Sequence, residues 1–215
     1  MADQIKDAYR SSKNIYDDVL TQGSFLSRLY IRVFWSGTDD NRIAQILTGY
    51  VPDDFRGKLL DVPVGTAVFT YRRWNQLKAA DICCLDYSED MIHQVESRLE
   101  DHVKCIQGDV GALPFEDETF DCVFTMNGFH AFPDKQKAYA EINRVLRQGG
   151  SLIGCFYIKG ESKITDWLVS HVLSKKGWFT PPFQSRDEVK ESLESFCHDV
   201  KIQTDGSIVY FRCIK

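Results

Sequence analysis

No stretch of the sequence approaches the ~20 consecutive apolar residues that cross a bilayer, so no membrane span is expected. The N-terminal MADQIKDAYRSSKN lacks the basic-then-apolar order of a secretory signal, and a cytoplasmic location is the expectation that follows. Cys-x-x-Cys is absent and no His/Cys grouping has zinc-finger spacing, so no metal site is expected. A basic surplus is missing as well. With 26 Lys and Arg against 31 Asp and Glu, the net charge is −5, which argues against a nucleic-acid backbone as partner. The dinucleotide fingerprint G-x-G-x-x-G is also missing, its positions around Gly65 being held by Pro63 and Val68, and no G-x-x-x-x-G-K-[ST] occurs. Those two absences disfavour a nicotinamide-dependent oxidoreductase and a P-loop nucleotidase. Repeats, low-complexity tracts and flexible linkers are not found.

What is present is an ordinary globular composition, 43% hydrophobic and 27% charged over 215 residues, enough for one domain with a sizeable core. The 7 cysteines are odd in number. Six of them (Cys83, Cys84, Cys105, Cys122, Cys155 and Cys213) fall in apolar strand-like runs, where free thiols pack as small hydrophobes. The first fifty residues read as two or three helices, the last of them DNRIAQIL opened by an Asp39-Asp40 cap.

From about residue 57 the pattern becomes strand–helix alternation: KLLDV, a helix through TAVFTYRRWNQLKAA, DICCLD, a helix SEDMIHQVESRLE, VKCIQGD, FDCVFTM, a helix DKQKAYAEINRVLRQ ended by Gly149-Gly150, and SLIGCFYI. After about forty residues with two more helices, the second opened by a capping box at Ser185 and Glu188, come VKIQT and SIVYFRCI around Asp205-Gly206, a hairpin signal. The predicted fold is therefore α/β, a doubly wound, mainly parallel sheet that closes with an antiparallel pair. In such a sheet a ligand lies beyond the carboxyl ends of the strands.

Chemistry gathers at that edge. Gly65 sits in the first strand-to-helix turn, where a missing side chain lets a ligand approach the backbone. Asp61, Asp86 and Asp109 end the first three strands in register. A carboxylate after the second strand can accept both hydroxyls of a ribose, one after the third can accept from an adenine amino group, and Asp61 can help hold a cationic amine. Each aspartate could alternatively cap its own loop.

LLDVPVGTA, CLDYSEDMI, QGDVGALPFEDETFDCVF and EINRVLRQGGSL together resemble class I S-adenosylmethionine-dependent methyltransferases, and within them the small-molecule branch that includes the quinone-biosynthesis methyltransferases. The likeness covers roughly residues 57–158. It implies a Rossmann-like seven-stranded sheet with a reversed last strand and S-adenosylmethionine as cofactor. It further implies that Asp86 binds the ribose, that Tyr87 and Met91 wall the adenosine, and that Asp109 with Val110 reads the adenine. Asp61, Val62, Pro63, Gly65 and Thr66 would pass the methionine portion, faced by Met126, Asn127 and Gly128 after the fourth strand, with Tyr16 folded over from the N-terminal helices. Pro63 and Ala67 stand where the family has glycine; a helical backbone at Ala67 would tolerate the added methyl.

The resemblance divides one 1–215 domain into a helical cap (1–56), a cofactor-binding core (57–160), an acceptor-side insertion (161–198) and a hairpin (199–215). The activity it implies is methyl transfer by in-line displacement to a small, apolar or aromatic acceptor; the alternative is a cofactor-binding regulator or partner subunit without catalysis. Walls for the acceptor are expected from Phe25, Tyr30, Phe34 and Trp35 in the cap, and from Trp167, Trp178, Phe179 and Phe183 in the insertion, much of which could equally be core. No catalytic residue is assigned. His130, after the fourth strand, is the one candidate base, weighed against packing or a loop hydrogen bond. Oligomeric state is left at monomer or homodimer.

Overall fold

The computed structural model describes residues 38–215. The first described helix, α1 (Asp40–Gly49), starts where the Asp39 carboxylate accepts from Arg42 N–H. Tyr16 and the cap aromatics Phe25, Tyr30, Phe34 and Trp35 lie outside the described residues. From there β1 (Lys58–Asp61), α2 (Tyr71–Gln76), β2 (Asp81–Asp86), α3 (Glu89–Glu96), β3 (Val103–Gln107), β4 (Phe120–Met126), α4 (Lys135–Val145) and β5 (Leu146–Tyr157) alternate. Next come α5 (Lys163–Leu168), continued by one wider turn over Val169–Leu173, then α6 (Arg186–Glu194), β6 (His198–Asp205) and β7 (Ile208–Ile214).

The seven strands form one sheet in the order β3-β2-β1-β4-β5-β7-β6. β7 runs antiparallel to β5 and to β6, while the other pairs are parallel. Alternate residues of each strand enter opposite cores, because successive side chains of a strand point to opposite faces. Leu59, Ile82, Cys84, Phe124, Ile153 and Tyr157 pack with Ile43, Leu47, Trp74 and Val95 on one side. Leu60, Cys83, Leu85, Val123, Leu152 and Phe156 pack with Ala138, Ile142, Val189 and Leu193 on the other. All seven cysteines are free, six of them buried and Cys105 half-buried. The chain order reverses between β1 and β4, so the crevice of this sheet opens over the carboxyl ends of those two strands.

Three local expectations are corrected. The helix read over 66–80 shrinks to α2, because residues 66–70 wrap in turns around the buried Asp61 carboxylate, which accepts from Thr70 Oγ1 (3.2 Å) and Trp74 Nε1 (2.7 Å). Gly149-Gly150 does not end α4. The helix stops at Val145, Leu146 already has strand geometry (ψ 127°), and both glycines lie inside β5, where Gly149 N–H and Lys215 N–H close the edge against β7. The helix of residues 88–100 ends at the Ser97 cap, which frees the Arg98 guanidinium to donate to Thr66 O at 2.9 Å.

Ala67 is the fourth departure, since a helical backbone was expected there. Its φ is +53°, not helical, and the residue is buried. A left-handed backbone costs an L-residue about 1 kcal/mol that glycine escapes. Ala67→Gly is therefore expected to raise stability by about 1 kcal/mol, read as a higher midpoint in urea unfolding; a lower midpoint would show that the methyl's packing outweighs the backbone term.

Candidate active site

A cavity of about 200 Å³ opens over the carboxyl ends of β1, β2 and β4. Its floor is the turn after β1. Gly65 has φ +55°, and a Cβ added there would meet nothing within 4 Å, so its backbone borders open space. The Gly65 N–H donates to Asp86 Oδ2 at 2.9 Å, while Asp86 Oδ1 accepts from Ser88 N–H at 2.9 Å. One carboxylate thus ties the turn after β1 to the turn after β2. These amides use only part of what two oxygens can accept, so acceptor capacity remains for a further donor. Burial pushes the Asp86 carboxyl up to about 6, against the lowering pull of the Ser88, Gly65 and Tyr87 N–H groups.

Asp61 lies beneath the same turn and is 2% exposed. Burial pushes it up to about 7, although Trp74 and Thr70 both stabilise its charge. Tyr87, 43% exposed, stands at the mouth beside the buried Met91. Asp109 falls two residues beyond β3, where its Oδ1 accepts from Gly111 N–H at 2.8 Å and so holds its own turn; with Val110 it still lines the cavity. On the opposite wall are Met126 and Asn127, the latter with φ +55°, a conformation asparagine adopts more readily than most residues.

The structure brings Asp61, Val62, Pro63, Gly65, Thr66, Asp86, Tyr87, Met91, Asp109, Val110, Met126 and Asn127 to this one cavity. Gly128 is not in its lining. A Cβ there would stand 2.2 Å from Pro63 Cδ and 2.9 Å from Phe132 Cζ, so this glycine makes room for the proline that occupies a glycine position in the first turn. His130 is also outside the lining. It is 6% exposed, its Nδ1 accepts from Tyr157 N–H at 3.3 Å, and its ring stacks on Phe179 with centroids 4.2 Å apart. Burial and the Lys135 charge push it down to about 3, which keeps the imidazole neutral and suits packing rather than proton transfer.

Phe179 and Phe183 turn edge-on to Tyr157, and Trp167 is exposed, so the insertion's aromatics do not wall the cavity either. Sequence reasoning missed Phe69, Ala131, Phe132 and Pro133, which do. Their only local signal is a position just after the strand ends.

Residues 60–154 match the methyltransferase domain family. Over that stretch, a little under half of its length, the chain is similar to methyltransferase domains. Among curated relatives, an uncharacterised chloroplastic methyltransferase of Arabidopsis thaliana is 30% identical over 65% of this chain and 41% of its own length. The ubiquinone/menaquinone biosynthesis C-methyltransferase of a Marinomonas species is 32% identical over 49% of this chain and 45% of its own. The demethylmenaquinone methyltransferase of Staphylococcus haemolyticus is 35% identical over 45% and 41%. The chain thus spans less than half the length of these relatives.

Among solved structures, a Thermotoga maritima protein described as an S-adenosylmethionine-dependent methyltransferase, possible histamine N-methyltransferase, superposes with TM-score 0.72 over 98% of this chain and 99% of its own at 19% identity. A Haemonchus contortus phosphoethanolamine N-methyltransferase does so with TM-score 0.68 over 81% and 52% at 16% identity. At 16–19% identity these structural likenesses concern the fold alone. No helix among the described residues of the domain is long and apolar enough to cross a membrane.

Proposed function

We propose that the chain transfers a methyl group from S-adenosylmethionine to a small acceptor. The observation that carries the reading is the buried Asp86 carboxylate joined to Gly65 N–H at 2.9 Å at the crevice of the sheet. The residues present fit the cofactor. Asp86 keeps acceptor capacity for a ribose diol, Tyr87 and Met91 offer apolar surface for a purine, Gly65 leaves its side-chain space open, and Asp61 supplies a carboxylate for a cationic amine. When bound, S-adenosylmethionine supplies a methyl group on positively charged sulfur, so the chain has no leaving group to activate. What its residues contribute is alignment and exclusion of water: Asp86 and the turn at Gly65 fix one end of the site, while Phe69, Met126, Phe132 and Pro133 make its walls apolar. The names of the sequence relatives favour an acceptor with an apolar ring.

Titration calorimetry with S-adenosylmethionine, set beside a nicotinamide dinucleotide, tests the cofactor; formation of S-adenosylhomocysteine with an acceptor panel tests transfer and separates an enzyme from a cofactor-binding regulator. The two raised carboxyls add a sharper expectation. In the free protein Asp61 and Asp86 become protonated near pH 7 and 6, and a ligand that draws on both charges must displace those protons. Affinity should therefore fall more than about tenfold from pH 8 to pH 5.5. Affinity that stays level over this range would show that neither charge is used.

A further inference from the structure

The register of the sheet sets two cysteines side by side. Cys84 of β2 and Cys105 of β3 are direct partners in a parallel pair, so their side chains point to the same face. Among the strand registers, this is the one that pairs cysteine with cysteine. Both thiols are free. Cys84 is fully buried in one of the two cores, and Cys105 packs against that core while keeping part of its surface in solvent, on an end strand of the sheet. Burial pushes the Cys84 thiol well above its ordinary range, whereas the Cys84 side chain beside it lowers Cys105. The pair thus divides into one thiol that solutes reach and that ionises more readily, and a second held next to it out of solvent.

Neighbouring strands lie about 4.8 Å apart, inside the ~4.4–6.8 Å that the Cα atoms of a disulfide span. The Cβ atoms of such a bond come to about 3.8 Å of each other, so forming one must draw the two strands together at this step. The next residue of β2 on the same face is Asp86, whose register partner is Gln107. Gln107 Nε2 donates to Tyr87 O at 3.1 Å, and Gly108 N–H donates to Asp86 O at 2.9 Å. The turn that carries Asp86 is therefore tied to the strand that would shift.

We propose that Cys84 and Cys105 form a dithiol site for hydrogen peroxide, and that its reversible disulfide disturbs the Asp86 turn. The Cys105 sulfur attacks one peroxide oxygen, the O–O bond breaks, and the departing hydroxide takes up the thiol proton as water, which leaves Cys105 as a sulfenic acid. The Cys84 sulfur then attacks that sulfur, and the hydroxyl leaves with the Cys84 proton as a second water. Each sulfur gives up one electron overall, and the peroxide is reduced to two molecules of water. This site goes beyond the methyltransferase reading and does not depend on what the cavity binds.

The test treats the full reduced chain with a small excess of hydrogen peroxide, alkylates the remaining thiols, and maps crosslinks by digestion and tandem mass spectrometry. Cys84 should be found joined to Cys105 in the wild type, in Cys83→Ser and in Cys122→Ser, and dithiothreitol should restore both thiols. In Cys105→Ser the crosslink should be lost. In ligand-free samples the Gly65 and Ser88 amides, both held by Asp86, should exchange hydrogen at least about threefold faster in the oxidised wild type than in the reduced or re-reduced chain. No crosslink, whether the thiols stay reduced or Cys105 goes on to sulfinic acid, overturns the proposal. So does a crosslink between other cysteines, or amide exchange that oxidation leaves unchanged. The wild-type map decides even where a variant does not fold. Cofactor binding is not among the readouts, so a failure of the methyltransferase reading and a failure of this proposal are separate results.

Discussion

Asp86→Ala should weaken S-adenosylmethionine binding by about 1.5–3 kcal/mol and also lower stability by about 1–3 kcal/mol. The first effect is the loss of charge-assisted bonds to a ribose. The second comes from backbone amides the carboxylate serves in the free protein, among them the part-buried Gly65 N–H and the buried Ser88 N–H, which are left without that acceptor. A sequence reading of this aspartate gives only the first effect and an intact fold, because the bond to Gly65 spans 21 residues and has no local signature. Asp86→Asn separates the two. Its amide oxygen still accepts from one of the backbone N–H groups, while its NH2 group opposes the other and carries no charge. Binding should fall nearly as far as in the alanine variant, with a smaller loss of stability. Calorimetry and thermal unfolding of both variants provide the check, and unchanged affinity beside a lowered midpoint would make Asp86 a clamp between turns and nothing more.

Gly128→Ala is expected to damage both stability and the site. The added Cβ would stand 2.2 Å from Pro63 Cδ, a ring atom that cannot swing aside, and 2.9 Å from Phe132. Forcing a methyl into packed rings costs about 1–3 kcal/mol, and the strain falls on two residues that line the cavity, so cofactor affinity should drop with stability. The partner variant makes the account specific. Pro63→Gly removes the ring, and in the double variant the alanine should cost less than about half of what it costs alone. Additive losses in urea unfolding would place the damage at Phe132 or elsewhere.

Much of this architecture was legible because buried parallel strands write short apolar runs, and an aspartate at the end of such a run stands out. In LLD and CCLD the acids do end β1 and β2, at the carboxyl edge of the sheet, and the Asp205-Gly206 pair announced the antiparallel closure. What failed depended on distance in the chain. The run TAVFTYRRWNQLKAA has good helical composition, yet Asp61 draws Thr70 and Trp74 inward and the first turns are spent wrapping it. Gly149-Gly150 looked like a helix stop because glycines commonly are one; here they sit in β5, where a Cβ on Gly150 would come within 2.9 Å of Arg147 O. His130 looked available from its place after β4, and only the later segment carrying Phe179 and the strand amide of Tyr157 reveal that it is enclosed. Ala67 offered no clue to its positive φ, since glycine, and occasionally asparagine or aspartate, are the residues that adopt one routinely.

The cluster of raised carboxyls bears on folding itself. Asp40 and Asp86 are pushed up to about 6 and Asp61 to about 7, from an ordinary 3.8 that they regain on unfolding. Between those values the unfolded chain holds fewer protons than the folded one, so each rise in pH from about 4 to 7 favours unfolding through these three groups, and above 7 their contribution levels off. The ligand-free domain is in this respect an acid-preferring fold working against neutral solvent, and any ligand that meets the Asp61 and Asp86 charges restores stability the empty domain gives up.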